Sequence, residues 1–418
     1  MVPRRGDSWE MTASEPSTTR TRRALDHGTG FVVIALAFTT AMAFSTIPTP
    51  LYVIYQQRDG FPTLMVTVIF AAYAVGVSAS LYLIGHVSDW FGRRRMIIVA
   101  LLIELLSAFM FLLWNDTTGL IVARIVSGIG IGALTASATA HLAELRSVAR
   151  PGTQRTADAV AGLANIGGLA LGPLIAGLLA QYAPQPTITP FVVFAALLAI
   201  GALAVAFVPE TVVPPHPLPP YRPQRIAVPA DGRALFASAG AAAFAAFAVL
   251  GMFTSLGPSV MTLVMDDHSR LAAGLVSSTA FASAALAQLG TGGLRLRTQI
   301  WLATGLMLGG SALLAVAVLG AWLPLFVASA VVAGAGVGVM FRVALSIAGS
   351  LAPPESRGEV LAALFLVAYV GLAVPVLMIG AAMLWFPLTT VLLVFAVAIG
   401  LLVVVSAPSL ARRAAAMG

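Results

Sequence analysis

Cysteine and lysine are both missing from this sequence of 418 residues, and charged residues of every kind make up only 9% of it. Without cysteine, the chain has no disulfide framework and no cysteine-ligated metal site. A typical soluble domain carries about 25% charged residues, and a much smaller share cannot cover the surface of a globule of this length. These shortages exclude a soluble enzyme, a nucleic-acid-binding protein and a disordered chain.

Hydrophobic residues make up 59% of the chain, and they fall into twelve blocks, each close to the roughly 20 residues that cross a bilayer. Because backbone in contact with lipid must satisfy its own hydrogen bonds, the blocks are predicted to be helices. The predicted fold class is therefore an all-α membrane protein with twelve transmembrane helices. The predicted spans are 31–55, 63–84, 96–114, 118–140, 156–181, 190–208, 234–265, 271–289, 300–320, 323–347, 359–383 and 388–406.

The first block has a second interpretation, as a cleaved signal peptide. Arginines precede it, and Ala41-Met42-Ala43 resembles a cleavage site. However, the apolar run starts at Phe31 and continues past this tripeptide to Tyr55. A retained span is therefore favoured.

The arginines predict the topology of the chain. Nineteen of the 23 lie in the two tails or in alternate gaps between blocks, whereas Arg58 and Arg270 stand in the remaining gaps. Arg124 and Arg342 lie inside apolar blocks. Because basic residues accumulate on the cytoplasmic side, both termini are predicted to be cytoplasmic in a multi-pass protein of the plasma (inner) membrane. The net charge of +7 is thus a topology signal rather than a nucleic-acid surface.

A proline-rich segment divides the chain into two sets of six blocks. Residues 208–229 hold eight of the 25 prolines, which favours an extended, semi-rigid tether; the alternative is a ligand for a proline-recognition module. The predicted organisation is a cytoplasmic N-terminal tail over 1–30, a six-helix bundle over 31–208, a cytoplasmic linker over 209–233, a second six-helix bundle over 234–406 and a cytoplasmic tail over 407–418.

The two halves share sequence features in the same order, which predicts pseudo-symmetric bundles. Repeated halves of this kind rock around a central site in many transporters. The matching positions are Gly128, Gly130 and Gly132 with Gly334, Gly336 and Gly338, and Pro151, Arg155 and Pro173 with Pro353, Arg357 and Pro375.

The strongest local motif joins the second and third blocks, from Gly85 to Arg95. Its glycines permit a tight reversal, and its acidic residue suits a helix N-terminus. An ordinary positive-inside loop is the simpler interpretation. The motif resembles the conserved loop of the major facilitator superfamily, in which the matching positions are Gly85, Asp89, Gly92, Arg93 and Arg94.

The resemblance implies that this loop braces the two halves and stabilises an outward-open state. It implies that Asp89 faces the start of the eleventh span, near Gly358 and Glu359, and that Arg93 reaches Glu144 at the end of the fourth. The equivalent loop in the second half has no aspartate, so the role rests on the first copy.

Two ionisable residues inside spans are candidates for proton coupling, Glu104 and Arg124. Intramembrane charges are costly and usually functional. Arg124 lies in a segment resembling the family's fourth-span arginine motif, which is linked to proton coupling. For Glu104 the alternative is a structural pair with Arg124, and for Arg124 it is snorkelling to the outer interface.

The fifth span resembles the glycine-proline motif associated with exporters of this family, and its matching residues are Gly168, Gly172, Pro173 and Gly177. Simple close packing of helices is the competing interpretation. The resemblance also implies a central substrate cavity, which aromatic and polar residues of these spans would line. The candidates are Thr39, Tyr52, Tyr73, Asn165, Phe247, Gln288, Arg342, Phe365 and Tyr369.

The predicted function is secondary active transport, as proton-coupled export of a lipophilic drug-like compound or small metabolite. Few buried amides and many aromatic residues suit such a substrate better than a sugar. The partners are the small molecule, protons and the bilayer, with a functional monomer, no nucleic acid and no nucleotide, since no nucleotide-binding loop is present. No cofactor, metal or catalytic residue is expected.

Three alternatives stay open at this point. The first is an uptake symporter of the same fold. The second is a membrane-embedded enzyme, for which Asp266-Asp267-His268 is the one acidic cluster at a membrane face. The third is a sensor that transports nothing.

Overall fold

The computed structural model describes residues 25–85, 87–212, 217, 220–353 and 356–416. Residues 1–24 of the predicted tail over 1–30 and parts of the predicted linker lie outside these residues, and the first helix begins within the predicted tail, at His27. Within the described residues, all regular structure is helical. The main helices are α1 His27–Asp59, α2 Thr63–Leu83, α3 Arg93–Leu113, α4 Thr117–Ala149, α5 Gln154–Tyr182, α6 Thr189–Val205, α7 Ala230–Val264, α8 Arg270–Gly290, α9 Leu296–Gly320, α10 Leu323–Gly349, α11 Arg357–Ala382 and α12 Leu388–Ala416.

Among the described residues, eleven of these helices are long and apolar enough to cross a membrane, and α6, with 17 residues, is the shorter one. The prediction of an all-helical, multi-pass membrane protein is therefore confirmed. Each predicted span overlaps one observed helix. Several helices begin or end beyond the predicted limits, because their last turns continue past the apolar stretch.

Polar caps fix the start of three helices. Asp26 accepts hydrogen bonds from the backbone amides of Gly28 and Thr29 at 2.9 and 3.0 Å, before α1. The hydroxyl of Thr29 also donates to this carboxylate, and these hydrogen bonds lower the pKa of Asp26. Asp116 caps α4 in the same way, and Ser269 caps α8. Each cap supplies an acceptor to amides that have no partner within the helix.

Three helices contain an irregular turn, and one short helix lies between two of the regular ones. A 3₁₀ turn at Thr49–Leu51 interrupts α1, and π-helical turns at Leu163–Gly167 and Met252–Leu256 interrupt α5 and α7. A single turn of helix, Ser88–Phe91, lies between α2 and α3. Wide π turns are rare in proteins, and those that occur are often found at functional sites. The residues in these two turns are therefore candidates for a functional site.

The helices of the first half, α1–α6, pack on one another chiefly through α4, which contacts α1, α2 and α3. In the second half, α7–α12, the helix α10 has the same position and contacts α7, α8 and α9. The main contacts between the halves are those of α5 with α8 and of α2 with α11.

The matching glycines make equivalent contacts in the two halves. A methyl group built on Gly128 would lie 2.2 Å from the carbonyl oxygen of Tyr73 in α2, and one on Gly334 would lie 2.3 Å from that of Ala280 in α8. Such distances leave no room for a side chain, so the backbones of paired helices touch here. Two further pairs are equivalent. Gly132 of α4 contacts α2 as Gly338 of α10 contacts α8, and Gly130 of α4 contacts α3 as Gly336 of α10 contacts α9.

The two ends of the helices are distinguished by their arginines. We call the end that carries residues 87–95, 206–212 and 220–229 the arginine-rich face, and the other end the opposite face. At the opposite face, a methyl group on Gly274 of α8 would lie 2.2 Å from the carbonyl oxygen of Pro173 in α5. One on Gly380 of α11 would lie 2.3 Å from the Thr67 hydroxyl of α2. The halves are therefore in close contact at the opposite face.

We expect Gly128→Ala to destabilise the fold. The added methyl group meets backbone atoms, and forced overpacking of this kind costs about 1–3 kcal/mol. The matched control is Gly305→Ala, since a methyl group there has nothing within 4 Å. The thermal unfolding temperature of both variants in detergent tests the difference. Equal unfolding temperatures would contradict the close contact of α2 and α4.

Candidate functional site

A cavity of about 310 Å³ lies between the two halves, lined by residues of α1, α2, α4, α5, α7, α8, α10 and α11. Its two walls differ in chemistry. The first half supplies most of its polar side chains, which are Ser45, Thr46, Thr49, Tyr73, Arg124, Thr135, Thr139, Asp158 and Asn165. The second half supplies mainly aromatic and aliphatic ones, which are Phe247, Leu250, Phe281, Val337, Phe341, Leu345, Phe365, Tyr369 and Leu372, with Thr254 and Gln288.

Arg124 is the buried cation of this cavity. The side chain is 3% exposed, and its Nη1 donates to the carbonyl oxygen of Ser45 at 2.5 Å. Its guanidinium lies 4.4 Å from the ring centroid of Tyr73 and 5.9 Å from that of Phe70. The Nε atom has no hydrogen-bond partner among the described residues. Arg124 therefore faces the cavity instead of snorkelling to the surface.

Several predicted cavity residues line the cavity, and others do not. Thr39 and Tyr52 are not lining residues: the Thr39 hydroxyl donates to the carbonyl oxygen of Ala35 at 2.8 Å, and Tyr52 is 1% exposed. Arg342 lines the neighbouring cleft instead, where Nη1 donates to the carbonyl oxygen of Gln288 at 2.9 Å. The predicted residues that do line the cavity are Tyr73, Asn165, Phe247, Gln288, Phe365 and Tyr369.

The aromatic wall forms one connected cluster around Phe341. Its ring centroid lies 4.9 Å from that of Phe247 and 5.7 Å from that of Phe365. The ring of Tyr369 lies 5.7 Å from Phe247 in an edge-to-face arrangement. Sequence reasoning missed Phe341. A helical spacing of four residues from Val337, next to the glycine motif, was the available signal.

A larger cleft of about 900 Å³ adjoins the cavity at the arginine-rich face. Asp158, Gly162, Ile166 and Gln288 line both spaces. Asn165 and Thr254, which lie in the π turns of α5 and α7, line the cavity itself. The site is thus open toward the arginine-rich face, while the helix contacts described above close the opposite face.

Glu104 lies behind this cavity, between α3 and α4. It is fully buried, and its Oε2 accepts a hydrogen bond from the Ser127 hydroxyl at 2.9 Å, while Oε1 has no partner among the described residues. It is not a lining residue, and no ion pair joins it to Arg124 within 4.0 Å in the described part of the chain. The alternative of a Glu104–Arg124 pair is therefore not formed as a direct ion pair here, and Ser127, one turn after Arg124 on α4, contacts the carboxyl group instead.

The loop motif forms a network on the arginine-rich face. Arg93 Nη1 lies 2.5 Å from Asp89 Oδ1, and Arg93 Nε lies 3.3 Å from Glu144 Oε1. The expected approach of Asp89 to the start of α11 is not formed, since Asp89 is largely exposed and pairs within its own segment. The nearest outside atom to a methyl group on Gly358 belongs to Gln224. This structure is open at the arginine-rich face, where such a contact would close it.

Glu210, at the start of the predicted linker, completes this network. Its Oε1 accepts hydrogen bonds from the backbone amides of Arg93 and Arg94 at 2.9 and 3.4 Å, at the N-terminus of α3. Gly92 precedes them with a φ of 109°, and a methyl group there would lie 2.6 Å from Glu210 Oε2. A carboxylate at a helix N-terminus is favourable. Sequence reasoning missed this role, although Pro209-Glu210-Thr211 follows the sixth span directly.

Described residues of the linker form hydrogen bonds with helices of the first half. The Thr211 hydroxyl lies 3.1 Å from His141 Nδ1 and donates to Glu144 Oε2 at 2.5 Å. Farther on, Gln224 N donates to the carbonyl oxygen of Tyr82 at 2.8 Å. The described parts of this segment therefore add structure to the first half as well as connecting the halves.

The fifth-span motif packs helices together. A methyl group on Gly172 would lie 2.1 Å from the carbonyl oxygen of Ala43, and one on Gly168 would lie 2.7 Å from that of Thr39, both in α1. Gly177 and Pro173 face α8 at Gly274. These contacts are those that the packing interpretation predicted.

The acidic cluster on the opposite face lies in a short loop before α8. Asp266 is exposed and lies 3.6 Å from His268 Nε2, while Asp267 accepts a hydrogen bond from the amide of Ser269. In the described ranges, no group of three or more histidine or acidic side chains is arranged to hold a metal ion.

The family model for the Major Facilitator Superfamily matches residues 31–265, which is more than half of the chain. The protein therefore belongs to the major facilitator superfamily. This result agrees with the loop motif and with a cavity shared between helices of both halves.

Two curated relatives match shorter stretches. An arabinose-proton symporter of Bacillus subtilis (strain 168) is 30% identical over 143 residues, which are 32% of this chain and 29% of that protein. An uncharacterised transporter of the same superfamily from Methanocaldococcus jannaschii is 27% identical over 154 residues, 36% of this chain and 38% of that protein. The matches thus span about a third of the length of each relative.

Two solved structures share the fold at 14% sequence identity. A mutant of the nucleoside transporter NupG has a TM-score of 0.68, covering 91% of this chain and 99% of that one. A bacterial homologue of the human lysosomal transporter Spinster, in an inward-facing and unoccupied conformation, has a TM-score of 0.63, covering 93% and 97%. The likeness extends over nearly the whole chain.

We expect Glu210→Ala to lower the thermal unfolding temperature, because the amides at the start of α3 lose their acceptor. Loss of a helix cap and its charge costs about 1–2 kcal/mol. Glu210→Gln keeps an acceptor and should have a smaller effect. The control is Asp266→Asn, which removes the charge of an exposed carboxylate that lies outside any helix N-terminus. Unfolding of Glu210→Ala at the wild-type temperature would refute the capping role.

Proposed function

We propose that this protein is a secondary active transporter that works by alternating access. The observation that carries the proposal is the cavity between the two halves, open at the arginine-rich face and closed by helix contacts at the opposite face. A site enclosed between two bodies that can pivot is the arrangement that alternating access requires.

The proposed architecture has twelve spans in two pseudo-symmetric six-helix bundles, with α6 as the sixth span. The equivalent glycine contacts of α4 and α10 support the pseudo-symmetry. An even number of spans puts both termini on one side of the membrane, and the arginines support a cytoplasmic location for that side. The plasma membrane is the proposed location, and a monomer is the proposed functional unit.

We propose that the transport direction is export of a lipophilic drug-like compound or small metabolite, in exchange for protons. The aromatic wall of the cavity supports a lipophilic substrate, and the fifth-span glycine-proline motif, Gly168, Gly172, Pro173 and Gly177, supports export. An ion gradient can drive this work, since moving one charge through 100 mV supplies about 2.3 kcal/mol.

Uptake by proton symport is the second candidate. The relative named as an arabinose-proton symporter favours it, because its name states the opposite coupling. Both candidates use the same cavity and the same two states. They differ only in whether the proton and the substrate move in the same direction.

Proteoliposomes that contain the pH-sensitive dye pyranine separate the two candidates. Three lipophilic probes of equal ring size are added outside: 1-naphthoate, 1-naphthamide and 1-naphthylmethylamine. Relative to protein-free liposomes, protein-dependent alkalinisation of the interior supports exchange for protons, and acidification supports symport. If no probe moves in a protein-dependent manner, the transport proposal is wrong.

We assign the coupling proton to Glu104, whose carboxyl group is fully buried. It accepts a hydrogen bond from Ser127, which lies one helical turn after Arg124 on α4. Glu104→Gln should keep exchange of a labelled probe across the membrane at equal pH. It should lose accumulation driven by a pH gradient, since the amide cannot carry the proton. Asp231→Asn serves as the control. Gradient-driven accumulation at the wild-type level in Glu104→Gln would exclude this assignment.

We expect Gly274→Val to favour the state that is open at the opposite face, because the side chain cannot fit against Pro173 in the closed contact. The matched control is Gly290→Val, at the other end of α8, where a methyl group has nothing within 4 Å. Since the chain has no cysteine, Thr49→Cys in the cavity is a clean reporter.

An impermeant maleimide applied from the opposite face should label this cysteine several-fold faster in Gly274→Val than in Gly290→Val. Equal labelling rates in the two variants would contradict a gating role for the contact between α5 and α8.

A further inference from the structure

The cavity carries its charge on one wall. Arg124 is the buried charged side chain in its lining, and Asp158 is the other charged one. Asp158 is exposed at the end that joins the open cleft, where its carboxylate accepts a hydrogen bond from Gln154 at 3.3 Å. Water therefore screens Asp158 but not the guanidinium of Arg124.

Arg124 is incompletely satisfied by the protein. A guanidinium has five N–H donors, and the described residues give this one a single hydrogen bond, to the carbonyl oxygen of Ser45. The buried Nε has no partner. The carboxyl group of Glu104, on α3, makes no ion pair with it within 4.0 Å and accepts a hydrogen bond from Ser127 instead. A buried cation without an anion is costly, and an anion from outside the protein would lower that cost.

The aromatic neighbours of Arg124 leave this role open. The rings of Tyr73 and Phe70 attract the guanidinium through their faces, but they carry no negative charge that could replace a carboxylate. Charge-assisted hydrogen bonds from arginine to a planar oxyanion are stronger and can be bidentate.

The facing wall suits the apolar part of the same ligand. Phe247, Phe341, Phe365 and Tyr369 form a continuous aromatic surface with ring centroids 4.9 to 5.7 Å apart. The cavity volume of about 310 Å³ is at the lower end of the range for small-molecule sites. A compact molecule with one ring system therefore fits better than an extended one.

The repeat makes the asymmetry clear. Applying the offset of the glycine motif, the position of Arg124 in α4 corresponds to Ala330 in α10, and the contact of Glu104 with Gly130 is replaced by that of Met307 with Gly336. The second half has no counterpart of either charge at these positions. A ligand with one charged end and one apolar end matches this arrangement.

We propose that the cavity binds an amphipathic organic anion, with its carboxylate or other oxyanion on Arg124 and its ring system against the aromatic wall. The inference rests on the proposed transport function for its biological meaning, and it names the class of substrate. A lipophilic cation is disfavoured, since the buried guanidinium would repel it.

The test is binding to the full-length protein in lipid nanodiscs, measured by scintillation proximity with labelled 1-naphthoate and with empty nanodiscs subtracted. The neutral 1-naphthamide and the cationic 1-naphthylmethylamine are used as competitors. We expect saturable binding of 1-naphthoate and much weaker competition by the other two. This comparison needs no variant, so it holds even if a substitution impairs folding.

Variants then locate the charge. Arg124→Gln should weaken 1-naphthoate binding by about 10- to 100-fold, the loss expected for hydrogen bonds to a charged group. Arg124→Lys, which keeps the charge but not the planar fork, should fall between it and the wild type. The control is Arg297→Gln, which removes an exposed arginine at the start of α9.

Competition by the cation that equals or exceeds that of unlabelled 1-naphthoate would overturn the proposal, and so would 1-naphthoate binding that is unchanged in Arg124→Gln. The proteoliposome assay reports transport independently. Binding at Arg124 without movement of any probe would refute transport and leave the anion site standing. Transport of the cationic probe without 1-naphthoate binding would refute the anion site and leave the transport proposal standing.

Discussion

Contact between helix backbones at glycine sets the spacing on which the rest of the molecule depends. Lipid tails are as apolar as leucine, so helices in a membrane gain little from hiding apolar side chains, and close packing must hold them together. Gly128 and Gly334 bring α4 and α10 against α2 and α8, and Gly274 brings α8 against α5. The same kind of contact thus fixes helices within each half and closes the two halves at one face.

The positions of the few buried ionisable groups in this packed bundle decide what each of them can contact. Arg124 and Glu104 both lie on helices of the first half, on two sides of α4, one at the cavity and the other behind it. A change in charge at either residue acts on α4, which carries Arg124 and whose Ser127 donates a hydrogen bond to Glu104 of α3. The second half supplies an apolar surface instead. The charged groups of the cavity therefore lie in the first half, while both halves enclose the cavity.

The sequence was sufficient for the helices, because long apolar blocks and turn residues are local signals. It was also sufficient for much of the cavity, since Tyr73, Phe247 and Tyr369 lie on helices that the family resemblance places around a central site. It failed for Glu210, whose role depends on a contact with amides more than 100 residues away. It failed for Thr39 and Tyr52 as well, because the rotation of a helix with little amphipathic character cannot be read from its residues.

The short helix α6 has a consequence for the surrounding lipid. Its 17 residues rise about 25 Å, roughly 5 Å less than the hydrocarbon core of an ordinary bilayer. As a crossing segment it presents a low apolar wall, and the acyl chains beside it must compress or the leaflets must bend inward to meet it. The neighbouring α3 is 21 residues long, so in the proposed twelve-span arrangement the annulus of lipid would be thinner beside α6 than beside α3.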